Sequence, residues 1–335
     1  MENELINNFA LVTADSANSV TFTMNGERDD CTGFMNWLSI WKGVLYSYEA
    51  MKQDCSVLEQ YKAVMFSGHP AYFESLIAIA NKLKGKVVTM FLPEGDISQY
   101  DMYGINSFSD VPYKAMNSVD VICSMEEDKI PYYSAISNTP AVFVHVPIDD
   151  RMASGEFRFP IEKKSKHILV YADNNPNCPV TVFGLARRLK MPLKTVCIPE
   201  QKLESVKQTF DLVIDGAYGK LGQYPFLRLL GSCLLNVYPT RWIGSSRQSI
   251  SCAIAGTPCI GSDRSHTQRR LFPDLAVDIY DVQGMAQLIY NLSVDIHLYQ
   301  YICNKAWSGV QFYNLENTKK RFLEAYRIGK ERSKC

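Results

Sequence analysis

Residues 236–261 read Asn-Val-Tyr-Pro-Thr-Arg-Trp-Ile-Gly-Ser-Ser-Arg-Gln-Ser-Ile-Ser-Cys-Ala-Ile-Ala-Gly-Thr-Pro-Cys-Ile-Gly. The apolar run that ends at Tyr238 gives way to a polar loop. Ser245 and Ser246 supply N-cap chemistry for a short helix, which Gly256 stops before Pro258. Cys259, Ile260 and Gly261 then read as the next strand. Together these pieces make one βαβ unit. A helix N-terminus at the carboxyl edge of a parallel sheet collects unpaired N–H groups and the positive end of the helix dipole, which suits a phosphate. Arg247 on the first turn adds a guanidinium fork for a diphosphate. An ordinary capped surface helix with an exposed arginine has the same local pattern.

The same rhythm runs outward in both directions. Toward the N-terminus, Phe9–Thr13, 63–66, 86–92, 119–123 and 141–146 read as buried strands. The segments 33–51 (Phe34, Trp37, Leu38, Trp41, Val44 and Leu45 at helical spacing) and 71–83 read as helices between them. Strands that are near-continuously apolar and separated by helices imply a parallel sheet covered on both faces. Residues 147–166 break the rhythm with prolines, Gly155 and mixed charge, and read as an interdomain linker. A second alternation follows: strands at 167–171, 194–198, 212–215 and 234–238, and helices at 180–189 and 224–230. A strand at 276–279 and helices at 282–292, 295–308 and 315–329 complete it. The predicted fold class is α/β with two Rossmann-like domains. The first occupies 1–150, the second 151–312, and 313–335 form a C-terminal helix returning to the first domain.

Composition narrows the function. Lys+Arg and Asp+Glu balance at 35 each, so no global field draws the chain to nucleic acid or anionic lipid, and Arg264, His266, Arg269 and Arg270 form at most a local basic patch. The ten cysteines are scattered without a C-x-x-C pair, which argues against a zinc site and a disulfide framework. The acidic N-terminus lacks the apolar core of a signal peptide, and no apolar run approaches the roughly 20 residues that span a bilayer. A cytoplasmic protein without integral membrane association is expected.

Several short stretches together resemble a known family. Val64-Met65-Phe66-Ser67-Gly68-His69, Met90-Phe91-Leu92-Pro93-Glu94-Gly95, Val119-Asp120-Val121-Ile122-Cys123-Ser124 and Val146-Pro147-Ile148-Asp149 occur in the order and spacing of its motifs. The strongest match is Ala253-Ile254-Ala255-Gly256-Thr257-Pro258-Cys259-Ile260. On these residues the chain resembles the glycosyltransferases of GT-B architecture, two facing Rossmann-like domains, and above all their large retaining family of nucleotide-sugar enzymes. The resemblance implies an acceptor domain first, a nucleotide-sugar domain second, and a nucleotide-diphosphate sugar, UDP- or GDP-linked, as donor. It also exposes a departure. Two glutamates bracket the sugar-nucleotide helix in that family, and Ile243 and Ser251 stand in their places here. A basic residue expected after the first strand of the second domain is also replaced, by the stretch Tyr171-Ala172-Asp173-Asn174-Asn175-Pro176.

The chemistry assigns provisional roles. Departure of a diphosphate needs cations and helix N–H groups, for which Arg247, Gln248, Ser245 and Ser246 are the candidates and Arg241 the next. Ser251, Tyr238, Asp173 and Asn174 complete the expected nucleotide-sugar contacts. An inverting reaction needs a carboxylate base at a strand end, for which Glu94 and Asp96 are placed; a retaining one does not. His69 lines the acceptor side or caps the following segment. His145 reads as core, and Trp37 and Trp41 as packing or as a sugar-stacking pair. Asp263 and His266 read as exposed loop residues within reach of the donor sugar. No metal and no cofactor beyond the nucleotide sugar are implied. The acceptor is open: a glycan, a lipid-linked precursor, a small molecule or a base in DNA. A DNA-base glycosyltransferase of viral type, a nucleotide-sugar epimerase and a non-catalytic two-domain binding protein are the alternatives.

Overall fold

A computed structural model describes residues 1–13, 34–92, 110–171, 179–219, 221–240 and 247–333. The described residues divide into two compact units. One runs to Asp149 and resumes at Phe312; the other is Asp150–Gln311.

The first unit holds six parallel strands: β1 (Phe9–Thr13), β2 (Val44–Ser47), β3 (Ala63–Ser67), β4 (Val87–Leu92), β5 (Val121–Ser124) and β6 (Ala141–Phe143), in the order β2-β1-β3-β4-β5-β6. β1, β3, β4 and β5 are buried along their whole length, as strands covered on both faces must be. The helical reading of 33–51 needs correction. A helix spans Phe34–Trp41, after which Lys42 turns into left-handed backbone with φ 48°. Gly43 then passes so close to β1 that a Cβ would stand 2.8 Å from the Phe9 carbonyl oxygen. The chain emerges as β2, and Val44 and Leu45 continued the helical spacing by coincidence.

The helix Leu315–Arg332 belongs to this first unit. Asn314 caps it by accepting from the Asn317 amide, and its inner face carries Thr318, Phe322, Ala325, Tyr326 and Gly329, the 3.6-residue spacing of one stripe. Phe322 is fully buried against Phe9, Trp37 and Trp41, with ring centroids 5.6, 5.3 and 5.7 Å away. Both tryptophans are therefore packing residues, and the sugar-stacking role falls away. His145 is buried as well, its ring set edge-on to Tyr313 at 4.6 Å.

The second unit is another six-stranded parallel sheet: β7 (Ser165–Tyr171), β8 (Leu193–Val196), β9 (Ile214–Tyr218), β10 (Cys233–Tyr238), β11 (Cys259–Ser262) and β12 (Ala276–Val277). Its order is β12-β11-β10-β7-β8-β9, which counted from β7 is the 3-2-1-4-5-6 arrangement of dinucleotide-binding sheets. Two local readings shift. Residues 200–210, too polar to show an apolar stripe, form the helix Glu200–Phe210. Asp211 ends it in left-handed backbone, so the strand expected at 212–215 becomes β9. The stretch 147–166 contains a short helix, Asp150–Ala153, and a 3₁₀ turn, Ile161–Lys163.

Candidate functional site

In the second unit the strand order reverses between β7 and β10, and ligands of open α/β sheets bind outside the carboxyl ends of the strands at such a point. Tyr171 ends β7 and Tyr238 ends β10. The helix that follows β10 begins at Arg247 and runs to Ala255. Every residue after Arg247 in it is buried, which rules out the ordinary surface helix that fits the local pattern equally well. Gly256 terminates it with φ 62°, and the side chain of Arg158 lies 3.2 Å from where a Cβ would be. Only glycine meets both conditions without strain.

Buried polar contacts hold this helix in place. The Ser249 hydroxyl donates to Gln268 Oε1 at 2.6 Å, and Gln268 Nε2 donates in turn to the Cys259 carbonyl at 2.7 Å. Asn236 Nδ2 donates to the Leu169 carbonyl at 2.9 Å, tying β10 to β7 across the switch point, and its Oδ1 accepts the thiols of Cys252 and Cys259. Thr257 Oγ1 donates to the Leu230 carbonyl and accepts from Lys164 Nζ at 2.9 Å. Lys164 also donates to the Gly231 carbonyl, and burial pushes its pKa down to about 8. Against this rigid background Gln248, 9 % exposed on the first turn, leaves its buried Nε2 without a hydrogen-bond partner among the described residues. A buried amide left open costs free energy unless something accepts from it.

The predicted residues separate as follows. Arg247 is the first helical residue and partly exposed, Tyr238 stands half-buried at the strand end, and Ser251 is one turn further on and buried. Arg241, Ser245, Ser246, Asp173, Asn174, Glu94 and Asp96 lie outside the described residues. Asp263 is exposed, but His266 is a correction: it opens the helix His266–Leu271 and is buried, because Ser265 caps that helix and turns the histidine inward.

In the first unit the order reverses between β1 and β3. β3 ends at Ser67, and Gly68 follows where a Cβ would stand 2.7 Å from Leu92 Cδ2. His69 caps the 3₁₀ turn Pro70–Tyr72: its Nδ1 accepts from the Ala71 amide at 3.3 Å, so in the neutral ring the hydrogen sits on Nε2. Burial lowers the His69 pKa, which keeps the ring neutral at neutral pH. Beside it Tyr72 stacks on Tyr48 at 4.8 Å with an interplanar angle of 4°, and the Tyr48 hydroxyl donates to the Ser67 carbonyl at 2.6 Å. Reasoning from sequence missed this aromatic shelf, and it missed Glu126. That residue is 3 % exposed just past β5, its amide donating to the Ser124 hydroxyl at 3.0 Å. The serine at the strand end was visible, but nothing marked the glutamate as buried.

Among the described residues no group of three or more His, Cys, Asp or Glu is arranged to hold a metal ion, and no helix is long and apolar enough to cross a membrane. No protein-family model matches the chain, and no curated protein matches it in sequence. Solved structures do. A UDP-forming α,α-trehalose-phosphate synthase from Burkholderia xenovorans aligns over 96 % of this chain and 99 % of its own, with TM-score 0.70 and 12 % identity. The HepE protein of Anabaena, solved with UDP, aligns over 95 % and 98 %, with TM-score 0.66 and 9 % identity. An α-glucosyltransferase solved with UDP and a 13-mer DNA aligns over 96 % and 98 %, with TM-score 0.62 and 9 % identity. At these identities the likeness shows the fold: the chain has the GT-B fold, with two Rossmann-like units each built on a six-stranded parallel sheet.

Proposed function

We propose that this chain is a glycosyltransferase that moves a sugar from a nucleotide-diphosphate sugar to an acceptor hydroxyl. The observation that carries this reading is the buried helix Arg247–Ala255, whose N-terminus stands at the switch point of the second unit with Arg247 and the open amide of Gln248 on its first turn. That arrangement suits a diphosphate: N–H groups and a guanidinium stabilise the charge that develops on the leaving group, and no metal is needed for it. UDP in the solved complexes of structural neighbours favours a uridine nucleotide. His69 supplies a neutral N–H donor for a sugar hydroxyl, with Tyr48 and Tyr72 beside it. Tyr238, Arg241, Ser245, Ser246, Ser251, Asp173 and Asn174 are the further nucleotide-sugar candidates, and Glu94 or Asp96 the base if the reaction inverts. The units 1–150 and 151–312 then divide acceptor and nucleotide-sugar binding between them.

A DNA-base acceptor is the second reading, because one structural neighbour was solved with a DNA 13-mer. The even charge balance speaks against it, since duplex binding depends on phosphate-contacting basic surface. The test is release of free nucleotide diphosphate from a panel of UDP- and GDP-sugars, with and without glycan, small-molecule and DNA acceptors. Acceptor-dependent release supports transfer. Binding of nucleotide sugar with no turnover on any acceptor would favour a binding protein, and interconversion of the sugar an epimerase.

A further inference from the structure

At the other end of the Gly-Thr-Pro helix, about 13 Å from Arg247 by helical rise, a cleft of about 370 Å³ opens in the second unit. Its walls include Arg158, Glu162, Gly256, Gln300, Cys303 and Asn304. The guanidinium of Arg158 is held in one orientation by two contacts. Its Nη2 donates to Asn304 Oδ1 at 2.9 Å, and its Cζ lies over the ring of Trp307, 5.0 Å from the ring centre. Because Asn304 Oδ1 is occupied, its amide nitrogen remains as a donor, and Gln300 presents a second amide on the same helix, Ile296–Val310. Among the described residues Arg158 forms no ion pair, and neither does Lys164, whose ammonium lies behind the same wall. A fixed arginine fork without a carboxylate, flanked by amide donors in a cleft, matches the recognition of a planar or tetrahedral oxyanion.

We propose that this cleft is a second ligand site, distinct from the helix N-terminus, that takes a small metabolite through a phosphate or carboxylate group held by Arg158, Gln300 and Asn304. The electrostatics agree. Burial and the nearby Arg158 charge both disfavour the Lys164 ammonium, while the thiols of Cys303, Cys233 and Cys252 around it stay protonated at neutral pH because burial raises their pKa values. An anion in the cleft offsets both cations at once. Glu162 is the one acid in the lining and opposes it. The site reaches the catalytic helix directly: Gly256, its cap, forms part of the cleft wall, and Cys303 donates to the Gly256 carbonyl. The binding claim does not depend on the proposed reaction.

Calorimetry with inorganic phosphate, a hexose 6-phosphate and citrate, in buffer saturated with UDP, tests it. Saturable binding is expected, weakened about tenfold or more in Arg158→Gln and abolished in Gln300→Glu, which places a negative charge on an exposed position of the cleft lining. Glu162→Gln should tighten it. Preference for the sugar phosphate identifies a phosphorylated sugar as the source, and preference for citrate a carboxylate metabolite. Equal affinities in the parent, Arg158→Gln and Gln300→Glu proteins, or no saturable binding of any probe at millimolar concentration, would overturn the site. If UDP fails to bind, the uridine-nucleotide reading of the helix N-terminus falls, while the comparison of these variants still decides the cleft.

Discussion

The two units have the same number of parallel strands and different chemistry at the strand ends. In the first, the chain leaving β3 enters a 3₁₀ turn capped by a neutral histidine, backed by stacked tyrosines. In the second, the chain that left β10 returns as a buried helix headed by an arginine. A neutral imidazole and aromatic rings suit hydroxyl groups, whereas a helix N-terminus with a guanidinium suits phosphates. Two six-stranded parallel sheets thus present different chemistry through a few residues beyond one strand each. Their cores also close differently. One face of the first sheet is covered by a helix from the far end of the chain, through Phe322, Ala325 and Tyr326, whereas the described residues of the second unit all fall within Asp150–Gln311.

The largest test of that contrast is truncation. Ending the chain after Asn314 strips Phe322 from the cluster with Phe9, Trp37 and Trp41, and the first unit should lose its cooperative unfolding transition while the second keeps one. Phe322→Ala alone should cost about 3–5 kcal/mol, read by denaturant unfolding. A truncated protein with the parental melting temperature would show that the helix is dispensable.

Next in size is the acid chemistry on the first unit. With an inverting reaction, Glu94→Gln should cut turnover about 10²–10⁴-fold while nucleotide binding holds, and a retaining reaction should leave it much less affected. Proton NMR of the product anomer says which applies. An inverted product from a fully active Glu94→Gln, Asp96→Asn double variant would remove both from the base role.

On the second unit, Arg247→Ala should weaken nucleotide-diphosphate affinity by about 1.5–3 kcal/mol in calorimetry, through loss of a charge-assisted contact, while His69→Gln leaves that affinity alone. The reverse pattern would exchange the assigned roles of the two units.

The smallest effects are in pH dependence, and the two units again differ. Lys164 in the second has its pKa depressed to about 8 from an ordinary 10.5. The unfolded chain therefore holds more protons between those values, and stability should rise with pH across that window. Lys164→Met should abolish the rise. His69 in the first unit has its pKa lowered below 6.5, so stability should fall as pH drops below that point, and His69→Gln should flatten the slope. Thermal unfolding followed across pH reads both.

The fold was largely legible because parallel strands buried on both faces leave near-continuous apolar runs, as β3, β4, β10 and the last four residues of β7 show. The Gly256 stop was legible too, since left-handed backbone at a helix end selects glycine. Less was visible where periodicity misled, as at Val44 and Leu45, or where it was absent, as in the helix Glu200–Phe210. Of the candidate site, Arg247 and His69 could be named from their place beside strand ends, whereas the inward turn of His266 and the burial of Glu126 carried no local signal.

The sequence by itself determined most of the local grammar: the strands whose apolar runs are nearly continuous, where the helix before Gly256 stops, and which polar residues follow the strand ends. These depend on neighbours in the chain, through apolar spacing, capping and backbone freedom. Only the tertiary structure decided that β2 lies outside β1, that Phe322 closes on Phe9, Trp37 and Trp41, and that Lys164 and Arg158 meet beside the Gly-Thr-Pro turn. Those contacts join residues far apart in sequence. Their energies come from burial and charge pairing in three dimensions, which no window along the chain can contain.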